Sequence, residues 1–397
     1  MKKLLLKLLC CATAVTMCAT AFTGCGRKFS GDKLAIGGIG PLTGAAADYG
    51  TAVKNSIELA IEEVNADGGI NGVQLELIFE DDEAEGEKAL NAYNVLKNAG
   101  MQLLIGTVTS GSGVMISESA KNDNMFMLSP SGSDPDVIKY DNAFRVCLED
   151  PAQGKLAAEY VLENLATLAP NKKIGMLSCD ASDYSKGIAR AFEAEIAKDT
   201  SVTLVKQSFP LDTETEFSAQ ATVFNSKDVD LVFLPIYYQA AACFIREAQK
   251  HVNLKDAKII GGDGLDGIVK ELGADSALAE DALLVTLFSA ALTTEPTKSY
   301  VDSYKAKYGS VPSQFGADAY DAVYIIKQAL EYAVAQQGES FDANTSASEL
   351  CNILKAAMTE IKFTGVTGTD IEWTAEGVPT DRIRVVKIQD GAYVDVE

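Results

Sequence analysis

The stretch LAIGGIGPLTGAAADYGTAVKNSIELAIEEVNADGGINGVQLELIF, residues 34–79, decides the fold. Its first residues are apolar and lead into Gly37-Gly38, which predicts a short buried strand. An apolar stripe with the period of a helix follows, formed by Val53, Ile57, Ile61 and Val64. Gly68-Gly69 ends this helix, and residues 73–79 then alternate between apolar and polar as a second strand does. Strand, helix and strand in this order predict two parallel strands covered by a helix.

The same rhythm of strand and helix continues through most of the chain. Further strands are predicted at residues 103–105, 126–128, 173–177, 202–209, 231–234, 258–260, 283–287 and 382–388. Because the rhythm restarts after Pro151, the chain divides into two runs, and each run predicts an open parallel sheet with helices on both faces. The predicted fold class is therefore α/β, with two doubly wound parallel-sheet lobes.

Residues 1–24 have the composition of an export signal. Three lysines precede an apolar stretch that is short for a membrane span, and small residues follow it. Cys25, directly after Thr-Gly, resembles the lipidation site of bacterial lipoproteins, although Phe22 stands where that pattern favours leucine. We therefore expect Cys25 to carry a lipid, with residues 25–32 as a tether. The alternative is a cleaved signal without a lipid.

Composition excludes several classes of function. The net charge of −22 becomes about −25 once the lysines of the signal are removed, and so acidic a surface repels nucleic acid. The single histidine, His251, follows a helical run and is interpreted as a solvated helix end, so no histidine metal site is expected. The cysteines after the signal are widely spaced, which favours free thiols over a zinc site and leaves one disulfide open. They are Cys147, Cys179, Cys243 and Cys351.

Candidate catalytic motifs fail on their details. Residues 38–44 (GIGPLTG) lie between a strand and a helix, but a dinucleotide-binding loop requires glycine in place of Thr43. No serine lies in G-x-S-x-G, and no Walker A sequence is present. Residues 81–83 (DDE) lack the regular spacing of cation ligands and are interpreted as a solvated acidic turn. We therefore expect no enzymatic activity, no cofactor and no metal.

Hydroxyl-rich loops follow two of the predicted strands. Residues 107–112 (TVTSGS) and 129–133 (SPSGS) both lie at the carboxyl edge of the first predicted sheet, where open α/β sheets bind ligands. A helix that begins there offers free N–H groups and a partial positive charge, which suit a carboxylate. The alternative is that these serines only cap helices.

Short blocks in a fixed order give a more specific signal. They are IGPLTG (39–44), YG (49–50), AIEEVNADGGING (60–72), FEDD (79–82), IG (105–106), SPS (129–131), FR (144–145) and QG (153–154). Over essentially the whole mature chain these blocks resemble the extracytoplasmic solute-binding proteins of branched-chain amino-acid ABC transporters. This leucine/isoleucine/valine-binding group has the type I periplasmic-binding fold.

The resemblance implies how the two lobes are connected. The chain would cross between them near Arg145, Val285 and Pro379, and the lobes would close over a ligand by a hinge motion. Lobe one would then contain residues 33–145 and 286–379. Lobe two would contain residues 146–285 and 380–397.

The resemblance also implies roles for eight residues. Ser110 would meet the ligand carboxylate, and the loop of Ser131 and Ser133 would bind its carboxylate and ammonium. Asp263 would pair with the ammonium. The aromatic walls would be Tyr49, Tyr184, Tyr237 and Phe315. This chemistry is coherent on its own terms, because a zwitterion needs donors at one end and an acceptor at the other.

Two departures from the family pattern concern the pocket and a disulfide. Ser185 replaces the commoner glycine after Tyr184, which affects that contact on lobe two. Ala84 and Thr109 stand where some relatives carry a disulfide, so that bridge is not expected here.

The expected function is that of a non-enzymatic, lipid-anchored monomer on the outer face of the cell membrane, or alternatively in the periplasm. It would bind a branched-chain or other apolar or aromatic amino acid and deliver it to ABC permease and ATPase subunits, with no nucleic-acid partner. A ligand sensor for a chemoreceptor or a histidine kinase is an alternative. Within the binding class, a related amide, urea or an aromatic acid also stays open as the ligand.

Overall fold

A computed structural model of the protein describes residues 28–380 and 384–396. The described chain contains two sheets, one of five strands and one of seven, each covered by helices. The predicted signal, Cys25 and the first residues of the tether lie outside this part, as do residues 382 and 383 of the last predicted strand.

The first sheet is parallel throughout. Its strands are β1 (Leu34–Gly40), β2 (Leu75–Asp81), β3 (Leu103–Gly106), β4 (Met127–Ser129) and β5 (Ala143–Arg145). They lie in the order β2-β1-β3-β4-β5. Every residue of β1 is buried, as the apolar start of the quoted stretch predicted. The sequence did not predict β5, whose three residues are too few to show a period.

The second sheet is mixed. Its strands are β6 (Lys173–Cys179), β7 (Thr203–Phe209), β8 (Leu231–Leu234), β9 (Lys258–Gly261), β10 (Leu283–Thr286), β11 (Arg384–Gln389) and β12 (Ala392–Asp395). They lie in the order β12-β11-β10-β9-β8-β6-β7, with β11 and β12 antiparallel to their neighbours. The predicted α/β fold class with parallel sheets in two lobes is confirmed, with an antiparallel edge on the second sheet.

A tight hairpin explains the antiparallel edge. Asp390 and Gly391 join β11 to β12 and have φ angles of 52° and 74°. Two consecutive positive φ angles are typical of the two-residue turn that Asp-Gly favours. The sequence therefore contained the signal for β12, which the strand pattern alone did not identify.

Helices cover both sheets. They are α1 (Ala47–Ala66), α2 (Gly86–Ala99), α3 (Ser110–Asn122), α4 (Asp150–Glu163), α5 (Leu165–Leu168), α6 (Asp183–Ile196), α7 (Ser218–Lys227), α8 (Tyr238–Ala248), α9 (Ile268–Leu272), α10 (Thr297–Tyr308), α11 (Gln314–Tyr332) and α12 (Ala347–Met358). The predicted stripe of α1 is buried and packs against α11. Helix α12 was not predicted, although Ser346 accepts a hydrogen bond from the Glu349 N–H at its start, as a capping box does.

The segments between the lobes lie side by side. Strand β5 ends the first sheet at Arg145, and α4 begins five residues later beside the second sheet. Trp373 donates from Nε1 to the Arg145 carbonyl (2.8 Å), and the Arg145 N–H donates to the Gly377 carbonyl (3.1 Å). After β10 the chain returns to the first lobe, where α10 packs against α1. The predicted lobe boundaries near residues 145, 285 and 379 stay a prediction.

Asp82 corrects one interpretation of the sequence. Its side chain is completely buried at the end of β2, where Oδ1 accepts a hydrogen bond from the Ala84 N–H (3.0 Å). Burial raises the pKa of Asp82 to about 6. Asp81 instead accepts hydrogen bonds from the Leu42 N–H (2.8 Å) and the Thr43 hydroxyl (2.7 Å). Half-buried Asp81 thus anchors the loop after β1, Glu83 is exposed, and the interpretation as a solvated turn was wrong for Asp82.

The four cysteines after the signal and the single histidine form neither a disulfide nor a metal site in the described residues. Cys147, Cys179, Cys243 and Cys351 are free thiols, and all except Cys243 are buried. His251 follows α8, with Nε2 3.4 Å from a carboxylate oxygen of Glu247. Within residues 28–380 and 384–396, no group of His, Cys, Asp and Glu side chains is arranged to hold a metal ion. In the same ranges, no helix combines the length and the apolar character that crossing a membrane requires.

A single carboxylate fastens the loop near residue 366 to the first lobe. Asp321 on α11 is 1% exposed and accepts hydrogen bonds from the Val366 N–H (2.9 Å) and the Thr367 N–H (2.8 Å). We expect Asp321→Ala to lower the free energy of unfolding by about 2–4 kcal/mol, because it removes the acceptor of two buried N–H groups. Urea unfolding followed by circular dichroism measures this change.

The control for that experiment is Asp302→Ala. Asp302 is an exposed partner of Lys298, so its loss should change the free energy of unfolding by no more than about 0.5 kcal/mol. A loss below about 1 kcal/mol for Asp321→Ala would contradict the anchoring role.

Candidate ligand-binding site

A cavity with about 230 Å³ of empty space lies between the two lobes. It is lined by Tyr49, Val108, Thr109, Ser110, Ser131, Tyr184, Tyr237, Asp263, Gly264 and Phe315. Most of these residues follow the carboxyl ends of β3, β4, β8 and β9, where open α/β sheets bind ligands.

A second hollow is larger than this cavity, but it is open to solvent and lined by charged side chains. It is a groove with about 910 Å³ of empty space on the outer face of the second lobe, lined in part by Lys186, Arg190 and Glu193. These side chains are charged and the groove opens widely to solvent, so it does not enclose a ligand. The cavity between the lobes is the candidate site.

The structure brings together seven of the eight residues predicted to bind ligand. Ser133 is the exception. It is buried behind the wall, where its N–H donates to the Ser110 hydroxyl (3.1 Å) and its carbonyl accepts from Arg145. A direct role for each of the eight in binding stays a prediction.

Tyr49 connects the two lobes across the cavity. Its hydroxyl donates to the Gly264 carbonyl (2.6 Å) and accepts from the Tyr238 N–H (3.3 Å). The first turn of α1, which carries Tyr49, lies directly against the loop after β1. A Cβ at Gly50 would stand 1.8 Å from the Pro41 carbonyl oxygen, so this approach requires glycine. The Tyr-Gly pair thus places an aromatic ring between the lobes.

Aromatic rings form the apolar part of the wall. Tyr184 stacks on Tyr237 with ring centroids 5.0 Å apart, and Phe315 lies 4.3 Å from the Tyr49 ring. The Tyr184 hydroxyl accepts a hydrogen bond from the Gly264 N–H (2.8 Å). Because the hydroxyls of Tyr49 and Tyr184 already bond to the backbone, both residues present mainly their rings to a ligand.

Ser185, the departure beside Tyr184, is not part of the wall. Its hydroxyl accepts a hydrogen bond from the Cys179 N–H (2.8 Å) and is fully buried at the end of β6. The Ser185 side chain therefore joins the start of α6 to the end of β6, and Tyr184 still lines the cavity.

Two serines tie together the loops after β3 and β4. Ser110 begins α3, and its hydroxyl accepts hydrogen bonds from the Ser133 and Asp134 N–H groups (3.1 Å each). Ser131 donates from its hydroxyl to the Val108 carbonyl (2.8 Å). The N-terminal end of α3 consequently faces the cavity in a fixed position, and its partial positive charge favours an anionic group there.

Arg145 binds the backbone of residues 129–134, here called the serine loop, from behind the cavity wall. The side chain is completely buried, and Nη1 donates to the Ser133 carbonyl (2.5 Å) while Nη2 donates to the Asp134 carbonyl (3.0 Å). A buried arginine needs such acceptors, because its charge cannot be neutralised by losing a proton. From the sequence, Arg145 was expected only near a crossover between the lobes, and its contact with the serine loop was missed. Strand β5, which ends at Arg145, is too short to have signalled this role.

Asp263 is the buried acid of the site. It follows β9, is 5% exposed, and burial raises the pKa of its carboxyl to about 7. Hydrogen bonds from Tyr184 and Gln153 act in the opposite direction and favour the carboxylate. Gln314 donates from Nε2 to the Asp263 carbonyl (3.0 Å). Gln314 was not predicted from the sequence, and Gln153 stood there only as part of a short sequence block.

The cavity therefore has two chemically different ends. Asp263 offers an acceptor for a cationic group, while the start of α3 at Ser110 offers donors to an anionic one. Between them lie aromatic rings. This arrangement can bind a small molecule that carries both charges and an apolar part.

Comparison with known proteins gives a consistent result. Curated relatives include the Leu/Ile/Val-binding protein BraC3 of Rhizobium johnstonii, 32% identical over 80% of this chain and 83% of that protein. Solved structures include the branched-chain amino acid transporter substrate binding protein LivJ of Streptococcus pneumoniae in complex with isoleucine. It is 28% identical, with a TM-score of 0.79 over 91% of this chain and 97% of that one.

A further solved structure shows the same fold at lower identity. The leucine binding protein LivK of Thermotoga maritima is 24% identical, with a TM-score of 0.80 over 92% of this chain and 98% of that one. The sequence model of the family described as periplasmic binding protein matches residues 33–392. The resemblance inferred from the short sequence blocks is confirmed, and the chain belongs to the periplasmic binding protein family.

Proposed function

We propose that this protein is the solute-binding component of an ABC importer and binds an amino acid with an apolar side chain, such as leucine, isoleucine or valine. The observation that carries the proposal is a cavity that combines a buried carboxylate, a helix N-terminus and aromatic walls. The proposed ligand-binding residues are Tyr49, Ser110, Ser131, Tyr184, Tyr237, Asp263 and Phe315, and the eighth predicted residue, Ser133, supports them from behind the wall.

The charged groups of an amino acid match the two ends of the cavity. Asp263 accepts hydrogen bonds from the ammonium, and Ser110 with the first turn of α3 binds the carboxylate. Ser131 and Ser133 hold the loop that completes this end. Because the site is buried, both interactions are stronger than they would be in water.

The walls favour an apolar side chain. Val108 and the rings of Tyr49, Tyr184 and Phe315 offer it apolar surface. A charged side chain would be buried there without a partner, which costs several kcal/mol. A ligand without an ammonium would leave Asp263 unpaired, so aromatic acids and simple amides fit this cavity less well. The named ligands of BraC3 and LivJ also support a branched-chain amino acid.

The remaining parts of the proposal concern location and partners. A lipid at Cys25 holds the protein at the outer face of the membrane, with the tether between lipid and lobe one. The lobes, with boundaries near residues 145, 285 and 379, close over the ligand. The loaded monomer then delivers it to the permease and ATPase subunits.

Isothermal titration against the twenty common amino acids tests the ligand. We expect saturable binding of leucine, isoleucine or valine with a Kd of about 1 μM or below, equivalent to about −8 kcal/mol. Aspartate and lysine serve as controls and should bind at least ~100-fold more weakly, because their side chains bring a charge to an apolar wall. No saturable binding of any amino acid would refute the proposed ligand class.

The role of Asp263 is tested by Asp263→Asn. We expect a loss of about 30- to 150-fold in affinity for leucine, equivalent to 2–3 kcal/mol, because the ammonium loses its anionic acceptor. Affinity for 4-methylpentanoate, which is leucine without the amino group, should change less than about threefold.

The control is Asp180, an exposed carboxylate on the same lobe that accepts a hydrogen bond from the Ser208 hydroxyl (2.9 Å). Asp180→Asn should leave the affinities for leucine and 4-methylpentanoate unchanged. Equal losses for leucine and 4-methylpentanoate in Asp263→Asn would remove Asp263 from the ammonium role.

The pKa of Asp263 also predicts a pH dependence. Since burial raises this pKa to about 7, the empty site is increasingly protonated as the pH falls below 7. Ammonium binding requires the carboxylate, so affinity for leucine should fall as the pH decreases, approaching tenfold per pH unit. Titrations from pH 5 to pH 8.5 measure this, and 4-methylpentanoate should not show the same fall. A constant Kd for leucine over this range would be the contrary result.

A further inference from the structure

Gln153 makes two hydrogen bonds to one residue of the site. It is 0% exposed, Nε2 donates to Oδ2 of Asp263 (2.9 Å), and Oε1 accepts from the Asp263 N–H (2.9 Å). A side-chain amide supplies one donor and one acceptor at a fixed spacing, so it can satisfy both groups at once. Gln153 thus fixes the backbone and the carboxylate of Asp263 together.

The helix that carries Gln153 is held unusually close to its neighbour. A Cβ on Gly154 would stand 2.2 Å from the Ile188 carbonyl oxygen, so only glycine allows α4 to approach α6 at this point. Helix α6 also carries Tyr184, the other side chain that bonds to Asp263. Gln153 and Gly154 form one of the short sequence blocks. The close approach that Gly154 allows therefore sets the position of the Gln153 amide beside Asp263.

The charge of Asp263 depends on neutral donors. The groups that act most on it are the side chains of Tyr184 and Gln153, the Gly264 N–H and the carboxylate of Asp266. Asp150, at the start of α4, is a further buried carboxylate in the same region. Since both neighbouring carboxylates oppose ionisation, the hydrogen bonds to Asp263 decide how well it can receive a cation.

We propose that Gln153 is a positioning residue that holds the Asp263 carboxylate toward the cavity, and so sets the preference for acids that carry an ammonium over the same acids without one. This inference rests on the proposed function, because it takes the ligand to be an amino acid. Gln153 is not in the cavity wall and acts only through Asp263.

The test compares Gln153→Met with a matched variant elsewhere. Gln102 is also a buried glutamine, 7% exposed, with Oε1 accepting from the Ala35 N–H (2.7 Å) and Nε2 donating to the Thr345 carbonyl (2.6 Å). Gln102→Met removes the same kind of hydrogen bonds from lobe one. It reports the effect of a destabilised fold without any change at Asp263.

The expected result is a selective loss. In Gln153→Met, isothermal titration should show affinity for leucine reduced about 10-fold or more, the effect of losing a hydrogen bond to a charged group. Affinity for 4-methylpentanoate should stay within about twofold, and the fall in leucine affinity on acidification should begin at a higher pH. Gln102→Met should leave the ratio of the two affinities and the pH profile unchanged.

The other outcomes would refute either the positioning role of Gln153 or the proposed function. Equal losses for the two ligands, or an unchanged pH profile, would refute the positioning role of Gln153 while the proposed function stands. Failure of the unaltered protein to bind leucine would refute the proposed function, and this inference with it.

A second variant covers the case in which Gln153→Met does not fold. Gln153→Glu keeps the side-chain volume and the acceptor for the Asp263 N–H. Its second carboxylate raises one of the two pKa values of the pair, so the pH dependence of leucine binding should move to higher pH. An unmoved profile in Gln153→Glu would also overturn the inference.

Discussion

The burial of the Asp263 carboxylate among neutral donors is the constraint on which the rest of the site depends. Removing a charge from water costs several kcal/mol unless partners replace the lost hydration. The hydrogen bonds from Gln153 and Tyr184 replace only part of it, since the carboxyl pKa still lies near 7. In the proposed complex, a ligand ammonium would complete the compensation. The hydration free energy that the Asp263 carboxylate has lost and not recovered disfavours its charged form in the empty site. The same loss therefore favours the binding of a cationic group beside it.

A second buried charge organises the opposite end. The Arg145 guanidinium binds the carbonyls of the serine loop, and the Arg145 backbone bonds to Trp373 and Gly377 of the returning chain. Arg145 thus bonds both to the serine loop and to the segment that contains Trp373 and Gly377. In the proposed closure, a rotation of the lobes would act on a residue that also holds the serine loop.

Local patterns were enough to predict most of the fold. The apolar stripe of α1 and the alternation in β2 each lie within a few turns of chain, so the sequence shows them directly. The hairpin at Asp390-Gly391 and the capping box at Ser346 also had local signals, but these depend on two or three residues rather than on a period. Short signals of this kind are easily lost among the many turns of a long chain.

The site was predicted less completely, because its support comes from distant parts of the chain. Asp263 and the aromatic residues were found through sequence blocks that resemble a family. The contacts from Gln153 and Gln314 to Asp263 join residues 110 and 51 positions apart, and no spacing rule reveals them. Burial of Asp82 likewise follows from the packing of β2 against the rest of lobe one, since an acidic triplet in isolation favours solvent.

The position of Trp373 has an optical consequence. It is the only tryptophan in the chain, it is 5% exposed, and its indole N–H bonds to the carbonyl of Arg145, outside the cavity wall. Indole emission depends on polarity and hydrogen bonding around the ring, so the tryptophan fluorescence of this protein originates beside Arg145, at the end of β5. Excited selectively over the 14 tyrosines, that emission reports the surroundings of Trp373 rather than contacts inside the cavity.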